Sequence, residues 1–322
     1  MALTLTEQLD NLYTTTWEHR KSQSHDNIFT ATPFWFWMKT KGKFKTEEGG
    51  RFVEEPLEYA KNDNIMWYTK GDSVSLNNHE FLTQSIWYWK YMVGSLVRFG
   101  VDDQMNRGKA AIMKLMNKTL DNMENSLIDY AETALFAAQS GDSIYGLQDL
   151  VPDSPSGSND AGAVDPATYT WFRNQATTMT GLSFSVYGIS YMRTMLNNCS
   201  ENRTQDRPDI IVTGQTPYEY YEDEVMEQKQ IVNKALGDAG FTNIEFKGIP
   251  MIYSPACAAT RMYFLNTNYL YVTYDPMMNF DMTEWKPIPD QVNDRAAQII
   301  FAWMFQVTRR LCQGVLHTID TA

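Results

Sequence analysis

Histidine, cysteine and positive charge are all scarce here: four histidines, three cysteines, and 27 basic against 39 acidic residues in a chain of 322. Each shortage removes a class of function. His19, His25, His79 and His317 share no metal-ligand spacing, so no zinc site is expected and they read as surface residues. Cys199, Cys257 and Cys312 lie far apart without a C-x-x-C pair, which suggests neither a zinc site nor a disulfide framework and fits a reducing compartment. A formal charge of -12 argues against gripping nucleic acid by counterion release, which needs concentrated Lys and Arg. The longest unbroken apolar run, Ile299 to Phe305, is seven residues, far short of the roughly 20 a membrane helix needs. Met1 to Asp10 carries acids and no basic stretch, so no secretion signal is expected.

The signatures of common chemistry are missing too. No G-x-x-x-x-G-K leads into Gly108 and Lys109, and neither G-x-G-x-x-G nor a G-x-S-x-G elbow occurs. Glu219, Glu222, Asp223, Glu224 and Glu227 stand beside Tyr218, Tyr220 and Tyr221, a composition of the kind a glycosidase uses. A solvated acidic helix face is the better reading of such consecutive carboxylates. The expectation is therefore a protein that is not an enzyme and needs no cofactor or metal.

What is present is aromatic. Sixteen Phe, nine Trp and eighteen Tyr supply rigid contact area, for either a core or an interface. Residues 1–32 are polar with scattered apolar positions and read as an arm with one weak helix. After the aromatic Pro33 to Met38, Lys39, Lys41, Lys43 and Lys45 alternate with other residues, which predicts an extended strand with one basic edge. Glu47 to Gly50 supply a turn, and Arg51 to Ala60 and Ile65 to Thr69 read as returning strands. Residues 39–78 thus form an expected two-stranded excursion, positive on its first limb and negative after Arg51. Such a hairpin is marginal alone and must lean on its own body or a neighbour.

Ile86 to Phe99 alternates as one strand with Trp87, Trp89, Tyr91, Val93, Val97 and Phe99 on one face. From Asp102 to Gln139, apolar residues recur in steps of three and four (Met113, Met116, Leu120, Met123, Leu127, Tyr130, Ala134), which predicts a helix roughly 50 Å long. Asp102 or Asp103 would cap it and Gly141 stop it. Val151 to Pro166 is loop composition. Helices are then expected over Thr178 to Asn198 and Thr216 to Leu236, with strands at Asp209 to Thr213, Asn243 to Tyr253, Arg261 to Tyr274 and Gln298 to Arg310. Residues 201–245 carry ten acids and four bases, making the later lobe the acidic one. The fold class read from this order is α+β.

Several stretches, taken in order, resemble tailed-bacteriophage major capsid proteins, whose fold is shared with the herpesvirus shell protein. They are EPLEYAKNDNIMWYTKGD from Glu55, the strand and helix from Phe81 to Asp129 with Asn106 and Gly108, SIYGLQDLV from Ser143 followed by Trp171 to Asn174, DIIVTG from Asp209, AGFTNIEF from Ala239, GIPMIY from Gly248, MYFLNTNYL from Met262, and Arg309, Arg310 with Gly314 to Leu316. Each fragment alone is weak and their joint order, across about residues 35–317, is specific.

The resemblance implies an N-terminal arm (1–32), an extended loop (33–78), a peripheral domain (79–185) with a spine helix at about 102–139, an axial domain (186–260) and returning strands (261–322) that complete both. It implies copies meeting heterologously in hexamers and pentamers of an icosahedral shell around double-stranded DNA, assembled in the bacterial host cytoplasm without sequence-specific DNA binding. It also implies a portal at one vertex, a separate scaffolding protein and a possible decoration protein, with no covalent crosslinking. Lys39, Lys41, Lys43, Lys45 and Arg51 on the loop are candidate inter-subunit contacts, as are Glu54 and Glu55 on its return. Glu219, Glu222 and Asp223 in the acidic lobe, and Arg309 and Arg310, complete the set. Rival readings are a carboxylate-using polysaccharide hydrolase, or a portal, tube or decoration protein.

Overall fold

A computed structural model describes residues 10–20, 32–62, 64–74, 78–100, 109–157, 160–200, 206–225, 244–291 and 294–320. In chain order its elements are helix α1 (10–20), α2 (Pro33–Thr40), strands β1 (Phe44–Thr46), β2 (Phe52–Glu58), β3 (Leu82–Tyr88) and β4 (Lys90–Arg98), and the long helix α3 (Lys109–Phe136). Then follow β5 (Gln175–Thr178), α4 (Phe184–Cys199), β6 (Ile210–Thr213), α5 (Gln215–Val225), β7 (Ile244–Phe246), β8 (Ile249–Tyr253), β9 (Met262–Leu265), β10 (Leu270–Met282), β11 (Lys286–Pro287), β12 (Arg295–Val307) and β13 (Gly314–His317).

The strands make three sheets. In one, β1, β10, β12 and β11 follow in order and β4 adds to β12; in the second, the order is β5-β13-β9-β6-β8-β7; the third is the two-stranded hairpin β2-β3. The last 60 or so residues therefore enter both large sheets, β10 to β12 in the first and β9 and β13 in the second. Lys247 and Gly248 both take positive φ, 50° and 78°, and close the tight turn between β7 and β8, so Ile244 to Tyr253 is a hairpin and not one strand.

Several of the sequence expectations change. Pro33 to Thr40 is a helix: Pro33 occupies its first turn, where a missing N–H is harmless, and Phe34, Trp35, Trp37 and Met38 recur with helical spacing and are buried. Trp35 packs on Trp303 at 5.5 Å between ring centres and Phe34 on Phe136 at 6.1 Å, so this segment belongs to the core and not to the extended loop. The lysine alternation is consequently split, with Lys39 in α2, Lys41 capping it, and only Lys45 inside β1. The N-terminal segment 10–20 is a helix docked on its own chain, where Trp17 is buried and its indole N–H donates to the Phe280 carbonyl at 2.9 Å.

The long strand from Ile86 also divides. Trp87 and Trp89 are buried, but beyond Trp89 the parity reverses: Met92, Gly94, Leu96 and Arg98 face inward and Tyr91, Val93, Val97 and Phe99 outward. The inward face meets α3, because a side chain at Gly94 would stand 2.6 Å from Met123 Sδ. Among the described side chains of α3 the buried ones are Leu120, Glu124, Leu127, Ala131, Leu135 and Phe136, a helical stripe from which Tyr130 points away. The predicted caps Asp102 and Asp103 lie outside the described residues, as do the side chains of Met113 and Met116 and the predicted helix residues from 226 to Leu236.

Candidate intersubunit surface

The hairpin is the part of this molecule least supported by its own chain. β2 and β3 pair in register from Phe52 opposite Tyr88 to Glu58 opposite Leu82, and the other large strands add to neither. Its foot is anchored. Trp87 is buried against the 161–163 turn, where Gly162 has φ 71° and leaves no room for a side chain beside the indole. Leu57 is likewise buried. The strands expose Phe52 and Tyr88 at the foot and Leu82 at the far end, with Phe81 just before it, and the tip carries Ile65 at 83% exposure and Trp67 at 98%, between Met66 and Tyr68. Sequence reasoning took Ile65 to Thr69 as a strand; the backbone there makes no ladder. The signal was in the letters, since four consecutive apolar residues abandon the period of two that a half-buried strand keeps.

The lysine-bearing stretch is partly occupied by its own chain. Lys45 Nζ pairs with Glu55 at 2.8 Å and lies 3.9 Å from the Tyr271 ring centre, tying β2 to β10. Lys43 donates to Asn268 Oδ1 at 2.9 Å and Lys41 sits 4.7 Å over Trp37. Lys39 is half-buried, while Arg51 and Glu54 are exposed. In the later lobe, Glu219 accepts from Gln215 at 2.8 Å on exposed α5, with Asp223 exposed and Glu222 half-buried.

Arg309 and Arg310 part company. Arg309 is half-buried and reaches Asp206 at 3.6 Å. Arg310 is 1% exposed: its guanidinium donates to the Leu150 carbonyl at 2.8 Å and to that of Asp149, and stacks over Phe172. Burial, opposed by the nearby Asp149 carboxylate, lowers its pKa to about 10, so it stays charged near neutrality. It is an internal strut, and as a surface candidate it is withdrawn.

At the foot of the hairpin, where β3 passes into β4, lies a cavity of about 200 Å³. Trp303 is part of its lining and Tyr91 and Tyr130, both more than half exposed, stand at it, with Ala134, Lys90 and Asp142 also in its wall. Tyr91 and Tyr130 are side chains that the parity change in β4 and the outward face of α3 leave without cover. Among the described residues no three His, Cys, Asp or Glu side chains are grouped to hold a metal ion, and no helix is long and apolar enough to cross a membrane.

No family model matches this chain, and no curated protein sequence matches it either. Its fold does match solved structures. A capsid protein of cyanophage A-1(L) covers 86% of this chain and 90% of its own length at a TM-score of 0.63 and 15% identity. A protein of the satellite phage P4 procapsid, solved with its size determination (Sid) protein, covers all of this chain and 93% of its own at 0.52 and 12% identity. The SrpI encapsulin of Synechococcus elongatus covers 90% and 88% at 0.52 and 11% identity. The α+β architecture is that of tailed-phage major capsid proteins.

Proposed function

We propose, for a chain that carries the tailed-phage major capsid fold, that it is the major capsid protein of such a phage, assembling through hexamers and pentamers into an icosahedral shell around double-stranded DNA. The observation that carries this reading beyond the fold is the hairpin. Two strands without a core of their own hold Trp67, Ile65, Met66 and Tyr68 in water, and contiguous apolar surface of that kind marks a contact site. A neighbour that covers it gains what the free chain forgoes.

On this reading the hairpin is the extended loop, α3 with β4, β10 and β12 the peripheral domain with its spine helix, and the six-stranded sheet with α4 and α5 the axial domain. The partners are other copies, a separate scaffolding protein, a portal at one vertex and a decoration protein. The procapsid likeness supports the scaffolding assignment, since that shell was solved with a second protein that determines its size. The net charge of -12 suits a wall that encloses DNA without holding it. The site of action is the virion, with assembly in the host cytoplasm.

The encapsulin likeness favours one second reading, a closed protein compartment that holds no genome. Negative-stain microscopy of the expressed chain, with nuclease-protected DNA measured in particles from lysed host cells, separates them. Regular shells that package double-stranded DNA in the presence of phage functions are expected. A persistent monomer overturns both, and shells that exclude DNA in every context leave the compartment.

A further inference from the structure

We propose that the hairpin tip of one copy seats Trp67 in the aromatic cavity at the foot of the next copy's hairpin, between Tyr91 and Tyr130. The proposal rests on the shell reading and gives its contact an address. A heterologous, ring-closing contact requires a projecting apolar group on one surface and a matching recess elsewhere on the same molecule. Both are present. Trp67 is 98% exposed and so fills no recess of its own chain. The cavity holds about 200 Å³, and an enclosed space of about 150 Å³ already accepts a benzene ring.

Topology makes the contact intermolecular. The cavity is built from Lys90 and Tyr91, just past the point where β3 ends at Tyr88, and the tip lies beyond the other end of β3. Seven residues at roughly 3.3 Å each separate the two ends by about 20 Å. Tip and recess therefore sit at opposite ends of one rod, so each copy offers one of each to its neighbours. The charges agree as well. Lys70 and Asp72 follow Trp67 on the exposed tip, and Asp142 and Lys90 flank the cavity, one pair of opposite signs on each surface. The aromatic ring supplies the contact area and the flanking pairs fix its orientation.

The test uses the full chain under conditions where particles form. The native Cys199, Cys257 and Cys312 are buried, so a W67C, Y130C double variant places the reactive thiols where the contact is expected. A short bis-maleimide should then link copies into ladders, while each single variant stays unlinked. Separately, W67A should lower particle yield about ten-fold or more, as loss of a central aromatic anchor does, with an unchanged melting temperature because nothing in the free chain covers that side chain. A charge exchange, K70E with D142K, should recover yield that either change alone reduces. Particles that form normally with W67A and give no ladder overturn this contact and leave the shell reading standing. A wild-type chain that forms no particles in any context, together with a double variant that gives no ladder, overturns both.

Discussion

Directly opposite each other on β4 and β12 stand two arginines, Arg98 and Arg295, a cross-strand pairing that like charges disfavour. Asp10 of α1 resolves it, with Oδ1 at 2.7 Å from Arg98 Nη1 and Oδ2 against Arg295. A carboxylate that neutralises two guanidinium groups in a nearly dry site is worth far more than a surface ion pair. Asp10→Asn should cost about 3 kcal/mol, read as a lower urea midpoint, because it removes the carboxylate charge that Arg98 and Arg295 share in a largely buried site. An Asn variant as stable as the parent would show that these ion pairs add little to the docking of α1. Glu132 behaves in the opposite sense. It accepts from Ser254 Oγ at 2.8 Å, joining α3 to the residue after β8, and burial, with Asp129 nearby, raises its pKa above the ordinary 4.5. The native state thus binds this proton more tightly than the unfolded chain. The stability it contributes is complete below the ordinary value and is lost as pH rises through the folded-state value. Glu132→Gln, which keeps an acceptor for Ser254, should therefore raise the melting temperature at pH 7, with the gain shrinking towards pH 4. A gain independent of pH would assign the effect to packing.

Among elements, the contact between α3 and β4 is set by one residue without a side chain. A methyl at Gly94 would meet Met123 Sδ at 2.6 Å, and Met123 is flexible enough to move aside. At Gly146 the same methyl would run into the carbonyl oxygens of Ala134, Leu135 and Ala137, which are fixed backbone at the end of α3. Gly94→Ala should cost about 1 kcal/mol and Gly146→Ala about 3 kcal/mol by chemical denaturation, since overpacking is tolerated only where a side chain can yield. Equal costs would mean that the helix shifts as a body. These two contacts also show what the letters held. The period of α3 was legible because its buried stripe repeats over many turns, and β6, with four buried residues, stood out as a short apolar run. Helix α2 was missed because the lysine alternation after it suggested a strand, while its own spacing at 34, 35, 37 and 38 was outweighed. The parity reversal at Trp89 was illegible, because period two says which residues share a face but not where a strand bends from one layer to another. Candidate contacts fared likewise: Lys45 and Arg310 are charges whose intrachain partners, Glu55 and the carbonyls of Asp149 and Leu150, are set by tertiary packing.

For the whole molecule, the question is which force brings copies together. The sequence offered a basic loop limb and an acidic later lobe as contact candidates, and a contact between opposite charges would weaken as salt screens it. The structure shifts the weight to apolar groups, because Lys45 already has Glu55 while Trp67, Tyr91 and Tyr130 stand open. Each copy also carries a net charge of -12, so approach is opposed by general repulsion. Raising ionic strength from about 0.01 M to about 0.15 M shortens the screening length from about 30 Å to about 8 Å and removes most of that repulsion, while leaving burial of aromatic surface intact. Assembly should therefore begin at a lower protein concentration as salt rises, followed by light scattering and checked by sedimentation. Reversing Lys41, which is exposed and lies over Trp37, should change that threshold little. A threshold that climbs with salt, together with strong loss on Lys41→Glu, would return the contact to the charged limb and displace the aromatic one.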